Sequence, residues 1–227
     1  EGARHVASEQ GSDDGRTFDA IAGLVEKSLI AIQFDQGEPQ YRLLDTTRAY
    51  ALGKLEEHGE FDAISLRHAE YVAQQLESQR EMLSALPRAE RVAAYSRQLS
   101  NARSALEWGF GPRGYDEIAT RLAVASTQLF IELSLLIEWQ GWAEQAMARL
   151  DDQHRNSRAR APDHALVQQD LADKLRLLSG LFLYSSWTTD IHRALDVAAR
   201  SQEAALKTQD PDDMAHAETM LGAANHL

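Results

Sequence analysis

Few side chains in this sequence have the type and spacing that chemistry requires. Gly109-Phe110-Gly111-Pro112-Arg113-Gly114 matches G-x-G-x-x-G letter for letter. In a dinucleotide site those glycines follow a strand and open a helix, so that backbone amides meet a pyrophosphate. Here the run follows a helical pattern, carries Pro112 and has no βαβ unit around it. It reads as a helix end and a turn. Gly53-Lys54 is followed by Leu55 inside a helical pattern, so there is no P-loop. His216-Ala217-Glu218 matches the first half of a zinc-deaminase signature, but that chemistry also needs a cysteine pair. The chain has no cysteine, and the three residues read as positions on a surface helix. The same absence removes disulfides, thiolate zinc sites, iron–sulfur clusters and cysteine nucleophiles. His-Glu-x-x-His and Gly-x-Ser-x-Gly are also missing. His154 and His164 flank a polar stretch and could meet a metal, but nothing in the spacing sets a geometry, and a solvated pair is the plainer reading. Asp151-Asp152 and Asp212-Asp213 are expected at helix edges, where acids cap and complement the helix dipole.

Binding candidates are more numerous. Arg149, Arg155, Arg158 and Arg160 cluster in one stretch, and Arg88, Arg91 and Arg97 lie along one helix. Either set could hold an acidic partner or phosphates, or form a solvated face. Trp139 and Trp142 lie three apart and share a helix face. Tyr184 and Trp187 close another helix. On the concave side of a helical solenoid such aromatics anchor a peptide or ligand, whereas between helices they fill the core. The candidate partner-binding set is Trp139, Trp142, Tyr184, Trp187, Arg155 and Arg158.

The elements that must position these residues are mainly helical. The chain has 227 residues, 44% hydrophobic and 26% charged, with a net charge of −12. That is the composition of an ordinary globular chain, long enough to bury a core. The net charge as a whole repels nucleic acid and anionic lipid. The richest apolar stretch, Leu129 to Ile137, contains Glu132 and Ser134 and is too short for a span of roughly 18 apolar residues. No signal peptide is visible, and a cytoplasmic setting is expected. Position 1 is Glu, and the terminal helical patterns start and stop abruptly, so the chain reads as a piece of something longer.

Residues 1–8 read as the tail of a helix and 9–16 as a polar loop. Phe18, Ile21, Leu24, Val25 and Leu29 follow at helical spacing. Ile30, Ile32 and Phe34 alternate, as do Tyr41 and Leu43, which predicts a β-hairpin around a five-residue turn, Asp35 to Pro39. Asp45 is expected to cap the next helix, and His58-Gly59 to end it. After Phe61 every segment reads helical: 63–82, 88–108, 117–132, 135–150, 165–184, 191–208 and one opened by Pro211. Residues 151–163 are expected to form a polar loop. Gly180 and Gly222 are 42 positions apart on first helices of successive hairpins. That period suggests degenerate helical repeats stacked as a solenoid. The fold class is therefore mainly α: helix, helix, one β-hairpin and helix over residues 1–60, then an α-solenoid of helical hairpins over 61–227, the last repeat truncated.

The run from Leu24 to Glu60 (LVEKSLIAIQFDQGEPQYRLLDTTRAYALGKLEEHGE) resembles the winged-helix subdomain of bacterial STAND-class ATPases. LRHAEYVAQQLE resembles the helix that follows it in that family. Asn101, Ala105, Leu106 and Trp108 resemble a family pattern Asn-x-x-x-Ala-Leu-x-Trp. The remainder is similar to the family's TPR-like repeats. The resemblance implies a regulator with a DNA-binding domain and a P-loop ATPase upstream and a helical-repeat sensor downstream. The family often carries Met-His-Asp at the end of the hairpin, its His touching the β-phosphate of ADP. Leu43, Leu44 and Asp45 stand there, so Leu44 replaces the nucleotide-sensing His and supplies no donor. One of the two leucines is then expected in the core, with Asp45 as a cap.

A winged helix invites a DNA-binding reading. Residues 17–60, however, hold four cations against eight carboxylates, a net of −4, and the expected wing carries Asp35 and Glu38. Duplex binders neutralise several phosphates, so no direct nucleic-acid partner is expected. The leading expectation is a non-catalytic signal-sensing arm of a transcriptional regulator. It would couple an inducer or protein partner to an upstream ATPase module of the same polypeptide, with ATP or ADP held by the parent and no cofactor, metal or membrane partner here. The alternative is a free-standing TPR-like adaptor that binds a peptide in its groove. An enzyme with an unrecognised helical active site has no positive support in the sequence.

Overall fold

The computed structural model describes residues 2–7, 14–35, 38–157 and 164–226. The chain divides into two units, Glu1–Tyr71 and Val72–Leu227, and the boundary falls inside a helix.

The first unit contains α1 (Gly2–Ala7), α2 (Asp14–Glu26), β1 (Ile30–Asp35), β2 (Glu38–Leu43), α3 (Asp45–His58) and the start of α4 (Phe61–Ser84). α2 ends with Ser28 in the left-handed region at φ 56°. The N–H of Ser28 donates to Val25 O and that of Leu29 to Leu24 O. This closure satisfies carbonyls the helix would otherwise leave orphaned. The strands pair antiparallel, Ile30 with Leu43 through Asp35 with Glu38. The expected five-residue turn is thus corrected: the ladder runs through Asp35, Glu38 and Pro39, and only 36–37, outside the described residues, lie between the strands. Both strands of a two-stranded sheet are edges, where proline's missing N–H is tolerated.

The expected cap at Asp45 is also corrected. Leu44 holds the N-cap position with extended backbone (φ −64°, ψ 148°) and no side-chain cap bond, and Asp45 is the first-turn acid of α3. An acid there still complements the dipole. Neither leucine is in the core, as Leu43 is 37% and Leu44 47% exposed. Gly59, at φ 70°, ends α3 as the sequence indicates. α4 ties down the N-terminal helix: Arg67 Nε donates to Val6 O at 2.9 Å, and the His5 and Tyr71 rings are 5.1 Å apart.

The second unit contains the rest of α4, then α5 (Arg88–Gly109), α6 (Asp116–Glu132), α7 (Leu136–Ser157), α8 (His164–Trp187), α9 (Ile191–Thr208) and α10 (Pro211–Ala224). Consecutive helices pack together from α5 to α10, and α8 additionally packs against α6 and α10. Contacts between next-but-one helices are what stacking of helical hairpins produces. The core combines large side chains (Tyr95, Phe130, Leu177, Leu178) with buried alanines (Ala119, Ala123, Ala194, Ala198) that let helices approach closely.

Residues 151–157 are helical, not loop. The stretch is polar, but it contains no glycine or proline before Pro162, and polarity alone does not stop a helix. Asp151 and Asp152 consequently lie within α7 and not at its edge. Asp210 caps α10 by accepting from Asp212 N at 2.8 Å, Pro211 sits in its first turn, and Asp212 and Asp213 are first-turn acids. Three helices of this unit end on left-handed residues other than glycine: Ser134 (φ 58°), Thr189 (φ 53°) and Gln209 (φ 58°). Among the described residues no helix is long and apolar enough to cross a membrane.

Candidate functional site

The aromatic candidates separate by burial. Trp139 is fully buried, and its Nε1 donates to Ala123 O at 3.1 Å across α6 and α7. It is therefore corrected from a partner anchor to a core residue. Its indole rests on Gly180 of α8, where a Cβ would lie 2.3 Å from Cη2. Trp142 is half-buried and stacks on Phe110 at 5.3 Å, and its Nε1 is buried without a hydrogen-bond partner. Tyr184 is half-buried beneath the Arg193 guanidinium, 5.3 Å from the ring centroid. Trp187, the last residue of α8, is 63% exposed. Trp139 and Trp142 thus face into the bundle, whereas Tyr184 and Trp187 end α8 near its surface.

The basic candidates fare differently. The backbone of Arg155 belongs to α7, whereas Arg158 and Arg160 fall outside the described residues. Neither His154 nor His164 has a described side chain. Arg149 is structurally committed. It pairs with Asp116 at 2.9 Å, donates to the carbonyls of Gly109 and Phe110 at 3.3 Å each, and lies 4.6 Å over the Phe110 ring. A cation at the C-terminus of α5 meets the negative end of its dipole. Arg91 binds Glu132 at 2.9 Å and Leu86 O at 2.8 Å. Arg103 grips Glu138 with two bonds, at 2.7 and 2.6 Å, and the hydrogen bond to Glu138 raises the Arg103 pKa further.

The G-x-G-x-x-G run forms a turn at the end of α5. Gly111 N donates to Trp108 O and Gly114 N to Gly111 O. A Cβ on Gly114 would lie 2.1 Å from Gly109 O and 2.4 Å from Trp108 O. Gly114 is therefore needed for close backbone approach, with carbonyls rather than amides facing it. His216 Nε2 is 2.9 Å from Ser179 Oγ, and that hydroxyl donates to Leu175 O at 2.9 Å. Among the described residues no three His, Cys, Asp or Glu side chains group to hold a metal.

A cleft of about 460 Å³ lies between α7, α8 and α9. Its floor is Met147, Leu181 and Val197, and its walls carry Glu144 and Asp151 from α7 and Arg193, Asp196 and Arg200 from α9. Arg193 pairs with Glu144. Lys174 binds Asp151 at 2.5 Å. Arg200 stands 4.0 Å from Asp151 and 3.8 Å from Asp196, beyond hydrogen-bond length for either. Sequence reasoning missed this cleft. The available signal was Arg193 and Arg200 seven positions apart, on one helix face, but only the structure shows the carboxylates of α7 opposite them.

Residues 4–56 match the winged helix-turn-helix domain family. Over 98% of its length the chain is 30% identical to "Putative HTH-type transcriptional regulator Rv0890c" of Mycobacterium tuberculosis (strain ATCC 25618 / H37Rv) and to its namesake Mb0914c of Mycobacterium bovis. It covers 24% of each, and so spans about a quarter of the length of these curated relatives. A third of the chain, 75 residues, is 36% identical to "Uncharacterized protein Rv0894" of M. tuberculosis, covering 19% of that protein. No solved structure matches the chain.

Proposed function

We propose that this chain is the non-catalytic signal-sensing arm of a transcriptional regulator. The observation that carries the reading is the similarity to HTH-type regulators over nearly the whole chain, through the winged helix and the helical series alike. In this reading the helical pairs act as TPR-like repeats that receive an inducer or protein partner. The winged helix passes that event to an upstream STAND-type ATPase domain of the same polypeptide, in the cytoplasm.

Support comes from the surface of the first unit. Phe18 is 71% exposed and Tyr50 68%, with Tyr41 and Leu44 also uncovered. Large apolar side chains left exposed within one small unit are what a partner would cover, and the relatives are about four times longer than this chain. The occupant proposed is the upstream domain. DNA is disfavoured by the acidic balance of residues 17–60. Differential packing of the winged helix would then be the coupling step, since a ligand shifts an equilibrium only by favouring one state.

Two measurements test the reading. Calorimetry of the chain with ADP is expected to show no binding, and micromolar affinity would overturn the non-catalytic assignment. The reading frame upstream of Glu1 is expected to encode a strand–GxxxxGK[ST]–helix unit, and a start codon within a few residues of Glu1 would overturn the coupling role.

A further inference from the structure

We infer that the cleft between α7, α8 and α9 is a binding site for a small zwitterion, an amino acid or short peptide carrying both a carboxylate and an ammonium group. The inference concerns binding alone and does not depend on the regulatory reading.

Three observations point there. The cleft offers about 460 Å³, is open to solvent on one side, and has room for a small molecule. The walls are charged with both signs, Glu144, Asp151 and Asp196 against Arg193 and Arg200, with Lys174 on Asp151. An ion of one sign therefore meets repulsion as well as attraction, whereas a zwitterion meets neither in excess. The floor residues Met147, Leu181 and Val197 are buried, so a ligand contacts chiefly the polar walls.

Arg200 is the decisive residue. The other cations of the cleft are engaged at hydrogen-bond distance, Arg193 by Glu144 and Lys174 by Asp151. The Arg200 fork lies at 3.8 and 4.0 Å from its two carboxylates, too far to donate to either. A guanidinium in that state presents parallel N–H donors that match a ligand carboxylate. Asp196, one turn before it on α9, is mostly exposed and offers its oxygens to the ammonium end. Carboxylate on Arg200 and ammonium on Asp196 set the ligand along the α9 face, with Glu144 and Asp151 closing the opposite wall.

The test is a titration of the full chain with glycylglycine, followed by amide chemical shifts. Acetate and ethylamine, each carrying one of the two charges, serve as controls. Glycylglycine is expected to move the amides of residues 193–200 with saturation, and each control to bind at least 10-fold more weakly. Arg200→Gln and Asp196→Asn are each expected to weaken glycylglycine at least 10-fold. Neither residue contributes a short hydrogen bond to the fold, so both variants should keep the wild-type thermal midpoint. Absence of saturable shifts, equal binding of acetate, or glycylglycine binding unchanged in Arg200→Gln would each overturn the assignment.

Discussion

The indole of Trp139 lies against Gly180, so close that a methyl group on Gly180 would sit 2.3 Å from Cη2 and 2.7 Å from Cζ3. Gly222, its counterpart 42 residues later, has nothing within 4 Å of the same position. One substitution should therefore act with opposite signs at the two sites. Gly180→Ala is expected to destabilise by about 1–3 kcal/mol through overpacking against Trp139. Gly222→Ala should stabilise by about 0.5–1 kcal/mol, because alanine orders more cheaply in a helix. Urea unfolding of both variants checks the pair, and equal signs would refute the contrast.

Thr189 carries a β-branched side chain at φ 53°, a conformation that such residues adopt only under strain. It links α8 to α9 in a tight connection, with Thr189 N–H donating to Ser186 O and Asp190 N–H to Ser185 O. Thr189→Gly should raise stability by about 1 kcal/mol, since glycine removes the steric cost of the left-handed region. A thermal midpoint below wild type would contradict this.

Tyr95 is buried, and burial raises its phenol pKa above the ordinary value of 10.0, with the nearby Glu132 charge adding to the effect. A raised folded-state pKa means stability that is complete below pH 10 and lost as pH climbs through the folded value. Wild type is expected to lose stability above pH 10 more steeply than Tyr95→Phe. Guanidinium unfolding at pH 8 and pH 11 measures the difference, and parallel losses in the two proteins would assign the slope elsewhere.

Arg149 covers the last carbonyls of α5 and bridges to Asp116 of α6. Arg149→Met should cost about 1–2 kcal/mol, from the lost hydrogen bonds and the uncompensated helix terminus. Lys at this position is expected to recover part of the loss by restoring the charge. Thermal unfolding of the three proteins decides whether charge or fork geometry dominates.

The winged-helix region is expected to leave DNA unbound even at low salt, where phosphate attraction is strongest. Fluorescence anisotropy with a random-sequence duplex at 50 mM salt tests it. A salt-dependent affinity abolished by Arg48→Gln would reverse the conclusion.

Periodicity was enough to find the helices, because stripes such as Val72, Ala73 and Leu76 are buried along one face. Alternation found the hairpin, and the αL glycine at Gly59 marked a helix end. Other boundaries escaped where the stop was made by Ser28, Ser134, Thr189 or Gln209. These residues carry no left-handed preference strong enough to announce it. Residues 151–157 read as loop in the sequence and are helix in the structure, because a polar surface helix and a polar loop have the same composition. Trp139 illustrates the limit for the site: its spacing from Trp142 defines a face but not what that face meets. The cleft was invisible for a related reason. Its opposed charges come from α7 and α9, and only tertiary packing brings Glu144 opposite Arg193.

α8 packs against α6, α7, α9 and α10. In a strictly linear array each unit touches only the next, and such chains fray from their ends. Counted as the pairs α6–α7 and α8–α9 with α10 following, these contacts form such an array, and α8 is its most shared member. The second unit should open first at its end, its slowest-exchanging amides should lie in α8, and a perturbation at α10 should reach α6 through a single intervening helix.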